Sequence, residues 1–122
     1  MLKILIVDDS RAIGKVAERI LNKEGYEAQL AANGMEGIHA LETFDADLIL
    51  LDVEMPIMDG LTTAALLRRS EKYAQTPIIM LTSKDGVFDR VQGELEGCSD
   101  YLTKPFAADK LLKSVGHYNH VN

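Results

Sequence analysis

Residues 48–60 read LILLDVEMPIMDG: four apolar residues run into an aspartate, then two methionines flank a proline and its neighbour before an Asp-Gly pair. A short apolar run bounded by turn residues is the pattern of a strand buried on both faces. Asp52 at its end has two readings. It can open a turn by bonding its own downstream backbone, or it can be a chemical group held at a sheet edge. The other strand ends decide between them.

Working outward, similar apolar runs occur at 2–7, 26–31, 77–81 and 100–103, with 47–51 as the central one. Segments of helical period separate them. Ile13, Val16, Ala17, Ile20 and Leu21 form an i, i+3, i+4, i+7, i+8 stripe, so Ser10 to Glu24 reads as an amphipathic helix, capped by Ser10 and ended by Gly25. Gly14 inside it has no explanation in the sequence. A second helix follows Asn33-Gly34 and buries Ile38 and Leu41. Asp59-Gly60 opens a third, with Ala64 and Leu67 inside and Arg68, Arg69, Glu71 and Lys72 outside. A fourth spans 86–95, carrying Val87, Val91 and Leu95 but interrupted by Gly93. The last, Ala107 to Tyr118, buries Leu111, Leu112 and Val115. Five strands alternating with five helices predict an α/β fold, a doubly wound five-stranded parallel sheet with helices on both faces.

Composition sets the remaining bounds. The 122 residues fit one domain, 1–122, with 47 % hydrophobic and 26 % charged side chains, ordinary globular usage. A net charge of −6 without a basic stripe argues against nucleic-acid binding. The opening apolar run meets Asp8-Asp9 too soon for a signal peptide, and no segment is long enough to span a membrane. The single cysteine, Cys98, has no partner within the chain and reads as a small core residue. A soluble cytoplasmic protein is expected. His39, His117 and His120 fall away from the strand ends and read as solvent-exposed.

Four of the five strands end in reactive side chains: Asp8 and Asp9, then Asp52, Thr82 and Lys104. In a parallel sheet these ends share one edge, the edge where open α/β sheets bind ligands. Any one of them could be a cap or a solvated charge; four at one edge point to function. Two carboxylates about 4 Å apart repel by roughly 4 kcal/mol at an effective dielectric near 20. Either one stays protonated or a cation sits among them. An all-oxygen site with few protein ligands suits Mg²⁺ completed by waters and phosphate oxygens, which points to phosphoryl transfer. Asp52, alone at a central strand end, is the candidate nucleophile. Asp8 and Asp9 would hold the metal, Lys104 would pair with the phosphoryl charge, and the Thr82 hydroxyl would donate to one of its oxygens.

The motifs IVDDS (6–10), LLDVEMPIMDG (50–60), LT (81–82) and YLTKPF (101–106) resemble the receiver domains of bacterial two-component response regulators, the CheY-like family, across essentially the whole chain. The resemblance implies the flavodoxin-like strand order 2-1-3-4-5. It implies that Asp52 accepts a phosphoryl group from a sensor histidine kinase, CheA-like kinases being among the candidates. Asp8, Asp9, Asp52 and the main-chain carbonyl of Glu54 would surround Mg²⁺, Thr82 and Tyr101 would be the switch pair, and the Lys104–Pro105 bond would be cis. No member of the constellation is missing, which speaks against a receiver unable to be phosphorylated. The output would be a phosphorylation-dependent contact with a downstream protein through the fourth helix, fifth strand and fifth helix. Phe88 is either core filler or an anchor of that surface.

Glu54 and Lys84, two residues past Asp52 and Thr82, lie where the family varies and phosphoryl lifetime is tuned. Their opposite charges are expected to pair over the site and slow attack by water, unless both are simply solvated. Gly93 stands where many receivers place alanine. Residues 83–106 look similar to single-domain regulators of type IV pilus twitching motility, so a stand-alone receiver in motility or chemotaxis-like control is expected. The alternatives are a phosphorelay shuttle that passes phosphate to a histidine phosphotransfer protein, and an aspartate-nucleophile phosphatase. The latter usually carries Asp-X-Asp after its first strand, which Asp8-Asp9-Ser10 is not. VDDSR also lacks the Gly-rich turn of a nucleotide-binding Rossmann module.

Overall fold

Alternation along the strands divides their side chains between two apolar layers, and a sheet with helices on both sides follows. The computed structural model describes residues 2–55, 57–83 and 97–119. Its strands are β1 (Lys3–Val7), β2 (Glu27–Ala31), β3 (Leu48–Asp52), β4 (Ile78–Thr82) and β5 (Asp100–Thr103). Its helices among the described residues are α1 (Arg11–Lys23), α2 (Gly34–Ala40), α3 (Gly60–Arg69) and α4 (Ala108–Gly116). The expected helix at 86–95, with Phe88 and Gly93, lies outside the described residues, so four of the five expected helices are observed.

All strand pairs are parallel and the order is β2-β1-β3-β4-β5. β3 and β4 are buried at every position, as expected for central parallel strands. Leu5, Val7, Ile49, Leu51, Ile78 and Met80 face the layer closed by Leu41, Ala64 and Leu67. Ile4, Ile6, Leu48, Leu50, Ile79 and Leu81 face the opposite layer with Ala17, Leu21, Leu111 and Val115. Each fully buried Leu or Ile contributes about 1.5–3 kcal/mol relative to exposure.

The expected Ser10 cap forms, and Asn33 and Asp59 cap the next two helices. Ser10 Oγ accepts from Ile13 N at 3.3 Å, Asn33 Oδ1 from Glu36 N at 2.9 Å and Asp59 Oδ1 from Thr62 N at 2.7 Å. Gly25 ends the first helical segment at φ +98°. Gly14 now has its reason: a Cβ there would stand 2.9 Å from Leu30 Cδ2, so α1 rests close against β2.

Several expectations change. Strands β3 and β4 each extend one residue further than the apolar runs, because Asp52 pairs with Leu81 and Thr82 with Thr103 in the ladder. Val16, placed on the inner stripe of α1, is 51 % exposed. Ile13, Ile38 and Leu112 are half-buried rather than core. Arg68 is not a solvated surface charge. Its Nε donates to Gly97 O (2.9 Å), and its Nη1 lies within hydrogen-bond range of Tyr73 O (3.0 Å), Ala74 O (3.3 Å) and Thr76 O (2.8 Å). Ile57 is the one non-glycine at positive φ among the described residues, at 72°. Such a backbone costs on the order of 1–3 kcal/mol for an ordinary residue. Cys98 is half-buried against the first layer, and His39 and His117 are exposed; His120 lies outside the described residues.

Candidate functional site

Four strand ends meet over the C-terminal edge of the sheet. The ladder carries β3 as far as Asp52, leaving its carboxylate 2 % exposed, with Oδ1 accepting from Glu54 N at 3.3 Å. Asp8, directly after β1, is 3 % exposed; its Oδ1 accepts from Ser10 N at 2.8 Å. Asp9 beside it is exposed, yet Asp8, Asp9 and Asp52 each offer an oxygen within 4.8 Å of the others. Lys104, after β5, reaches across with Nζ 3.0 Å from Asp52 Oδ1 and 3.5 Å from Asp8 Oδ2. The Lys104–Pro105 bond is cis, as the family resemblance implied.

Burial is the largest influence on Asp52. It pushes the carboxyl up to about 7, helped by the charge of Asp8 and opposed by the hydrogen bond and charge of Lys104. Burial by itself would lower Lys104, but Asp52 and Asp8 together hold the ammonium above its usual range. The site therefore carries more negative charge than one lysine can settle.

Two polar atoms reinforce that conclusion. Asp8 Oδ2 and Thr82 Oγ1 are buried without a hydrogen-bond partner among the described residues, a condition that costs about 1–3 kcal/mol for a neutral group and more for a charged one. Thr82 is 1 % exposed, and its main-chain carbonyl accepts from Lys104 N at 2.7 Å. A buried carboxylate oxygen whose paired cation, Lys104 Nζ, stands 3.5 Å away, within a cluster of three carboxylates, belongs to a hard-oxygen donor set, and a small divalent cation fits it. The unpartnered hydroxyl faces no such need for a metal but suits an incoming anion.

Of the other expected site residues, Tyr101 lies within β5, half-buried against the first layer. The Glu54 side chain is exposed, and Lys84 falls outside the described residues. Gly60 is a contributor that its Asp-Gly context did not reveal. A Cβ there would sit 2.2 Å from Asp52 O and 2.8 Å from Val53 Cα, so only glycine lets α3 begin against the main chain of Asp52. Gly60 N also donates to Val53 O at 2.9 Å, closing the 53–60 loop, while Val53 N donates to Leu81 O at 3.1 Å.

A parallel sheet in this order, with acidic residues beyond its C-terminal edge, defines a flavodoxin-like α/β domain of the CheY-like kind. Residues 4–116 match the family described as the response regulator receiver domain, and the chain belongs to that family. It is 38 % identical over 114 residues to Protein PilG of Pseudomonas aeruginosa, covering 93 % of this chain and 84 % of that one. It is 40 % identical over 115 residues to the DNA-binding dual master transcriptional regulator RpaA of Synechocystis, covering 94 % of this chain and 48 % of RpaA. The chain thus spans about half the length of such transcriptional relatives. Among solved structures, chemotaxis protein CheY4 of Vibrio cholerae superposes with a TM-score of 0.92 at 35 % identity, covering 97 % and 98 % of the two chains. No helix among the described residues is long and apolar enough to cross a membrane.

Proposed function

We propose that Asp52 is the phosphoacceptor of a response regulator and that phosphorylation changes which proteins the receiver binds. One observation carries this reading. A carboxylate 2 % exposed lies 3.0 Å from the only lysine reaching it among the described residues, beside two further aspartates and a buried hydroxyl with no partner.

The chemistry follows from those positions. An ionised Asp52 oxygen forms the new P–O bond as the N–P bond of a phosphohistidine on a sensor histidine kinase breaks. The electron pair of that bond stays on the imidazole nitrogen, which is then protonated by solvent. Lys104 pairs with the oxygens of the transferred group, and Thr82 Oγ1 donates its proton to one of them. Asp8, Asp9, Asp52 and the Glu54 main-chain carbonyl would hold Mg²⁺; when bound, it supplies the positive charge that favours ionised Asp52 and neutralises the phosphoryl oxygens. Phosphorylation adds about 1.5–2 negative charges at the sheet edge. Thr82 turning toward them, with Tyr101 following, shifts the balance between two surfaces. The downstream protein then binds through β5, α4 and the 86–95 segment. Glu54 and Lys84 set how fast water removes the group. The domain acts as a signalling acceptor rather than a turnover catalyst, in the cytoplasm. Similarity to the chemotaxis protein CheY4 and to PilG supports a place in motility or chemotaxis-like control.

The test is incubation with a small acyl phosphate or phosphoramidate donor and Mg²⁺, comparing the native protein with Asp52→Asn. The native protein takes up one phosphoryl group and the variant none. Equal labelling of both would overturn the assignment.

A further inference from the structure

The peptide unit that joins Asp52 to Val53 is gripped from two sides. On one side β4 holds it: Asp52 pairs with Leu81 in the ladder, and Val53 N donates to Leu81 O at 3.1 Å. On the other side stands the first turn of α3. A Cβ on Gly60 would lie 2.2 Å from Asp52 O, 2.9 Å from Asp52 C and 2.8 Å from Val53 Cα, all of them main-chain atoms. A side chain can swing away from such a contact. Main chain in a strand buried at every position cannot, unless the strand itself moves. Gly60 N completes the grip by donating to Val53 O at 2.9 Å.

Asp59 seats that turn from outside. It is exposed and is no member of the Asp8, Asp9 and Asp52 cluster. Its Oδ1 accepts from Thr62 N at 2.7 Å, and its main-chain carbonyl accepts from both Thr63 N (3.0 Å) and Thr63 Oγ1 (2.8 Å). Thr63 is 1 % exposed, so its hydroxyl depends on that bond. The same turn is flanked by α2, where a Cβ on Gly34 would stand 2.2 Å from Thr63 Oγ1. Cap, buried hydroxyl and neighbouring helix together leave the start of α3 little freedom.

The Asp52 carboxylate hangs from the gripped peptide. Its Oδ1 lies 3.0 Å from Lys104 Nζ and 3.3 Å from Glu54 N, contacts that a shift of the main chain would disturb together. Reactions between positioned groups are sensitive on this scale, a misplacement of about 1 Å costing on the order of 100-fold in rate. Relieving a contact of 2.2 Å takes a displacement of that order.

We infer that Asp59 and Gly60 are positioning residues for phosphoryl transfer. The first turn of α3, seated by Asp59 and brought close by Gly60, fixes the Asp52–Val53 peptide and so aims the Asp52 carboxylate at Lys104. Both residues act through main chain rather than by contact with the reacting oxygens. The inference rests on the reading of Asp52 as the phosphoacceptor.

The test is labelling of the full chain with a small acyl phosphate and Mg²⁺, each rate divided by the folded fraction found by circular dichroism in the same sample. Gly60→Ala should label about 10- to 100-fold more slowly per folded molecule. Asp59→Ala, a surface change that removes the cap, should slow labelling by about threefold or more. Asp59→Asn restores an accepting oxygen without the charge and should recover most of the native rate. Gly14→Ala crowds α1 against Leu30 of β2 and should leave the rate per folded molecule at its native value. Should Gly60→Ala not fold, the Asp59 pair decides. A Gly60→Ala or Asp59→Ala protein that labels at the native rate would overturn the inference. So would an Asp59→Asn protein as slow as Asp59→Ala, or a Gly14→Ala protein slowed as much as Gly60→Ala. A native protein that takes up no label would overturn the phosphoacceptor reading itself, and this inference with it.

Discussion

The two edges of the sheet treat polar groups in opposite ways. At the N-terminal edge they are satisfied. Arg68 bonds carbonyls ahead of β4 and β5, Lys3 N donates to Asp47 Oδ2 at 2.9 Å, and Ile78 N donates to Ser99 Oγ at 3.2 Å. The Tyr73 hydroxyl reaches toward the carbonyls of Leu41 (3.4 Å) and Phe44 (3.5 Å). At the C-terminal edge Asp8 Oδ2 and Thr82 Oγ1 have no hydrogen-bond partner among the described residues, and burial pushes the Asp52 carboxyl up to about 7. One edge anchors the fold. The other leaves a carboxylate oxygen and a hydroxyl short of hydrogen bonds among the described residues.

Substitutions that delete polar atoms should therefore have opposite signs at the two edges. Arg68→Met should show the largest stability effect, a loss of about 2–4 kcal/mol in urea unfolding, because several partly buried carbonyls lose a charged donor at once. A loss below about 1 kcal/mol would remove the contrast. At the other edge, Asp52→Asn in metal-free buffer should stabilise the fold by about 1–4 kcal/mol at pH 8, since it removes a poorly compensated buried charge.

The pH dependence separates this cause from a simple packing gain. Asp52 titrates near 7 in the fold against 3.8 when unperturbed, so between those values the folded state binds more protons than the unfolded one. Stability contributed by the protonated form is present at low pH and is lost as pH rises through about 7. The advantage of Asp52→Asn should thus grow from pH 4 to pH 8 and shrink when Mg²⁺ is added; a pH-independent difference would exclude the charge explanation. The smallest effect is expected of Thr82→Val, a gain of up to about 1 kcal/mol in urea unfolding from losing an unpartnered hydroxyl. If that variant destabilises by more than about 1 kcal/mol, the hydroxyl is not under-satisfied.

The site was more legible in the sequence than the anchoring edge. Asp8, Asp52, Thr82 and Lys104 announce themselves because polar side chains terminate apolar runs, and parallel pairing brings those ends together. The runs misjudged β3 and β4 by one residue for the same reason: polarity was read as loop, whereas the ladder continues through Asp52 and Thr82. Arg68 was not legible. Its partners are main-chain carbonyls in turns, which leave no side-chain signature. Periodicity likewise assigned Val16 to the core, since a helix stripe marks one face without marking how far the neighbouring elements extend over it. The reason for Gly14 and Gly60 lies in close approaches across space, invisible until the neighbour is known.

The loop after Asp52 is fastened at both ends. Val53 is tied to Leu81 and Gly60 to Val53, while Glu54 and Ile57 between them face outward. The two ties hold the main chain on either side of that interior, so the exposed side chains of Glu54 and Ile57 within 53–60 can be replaced without shifting the Asp52 carboxylate that precedes them.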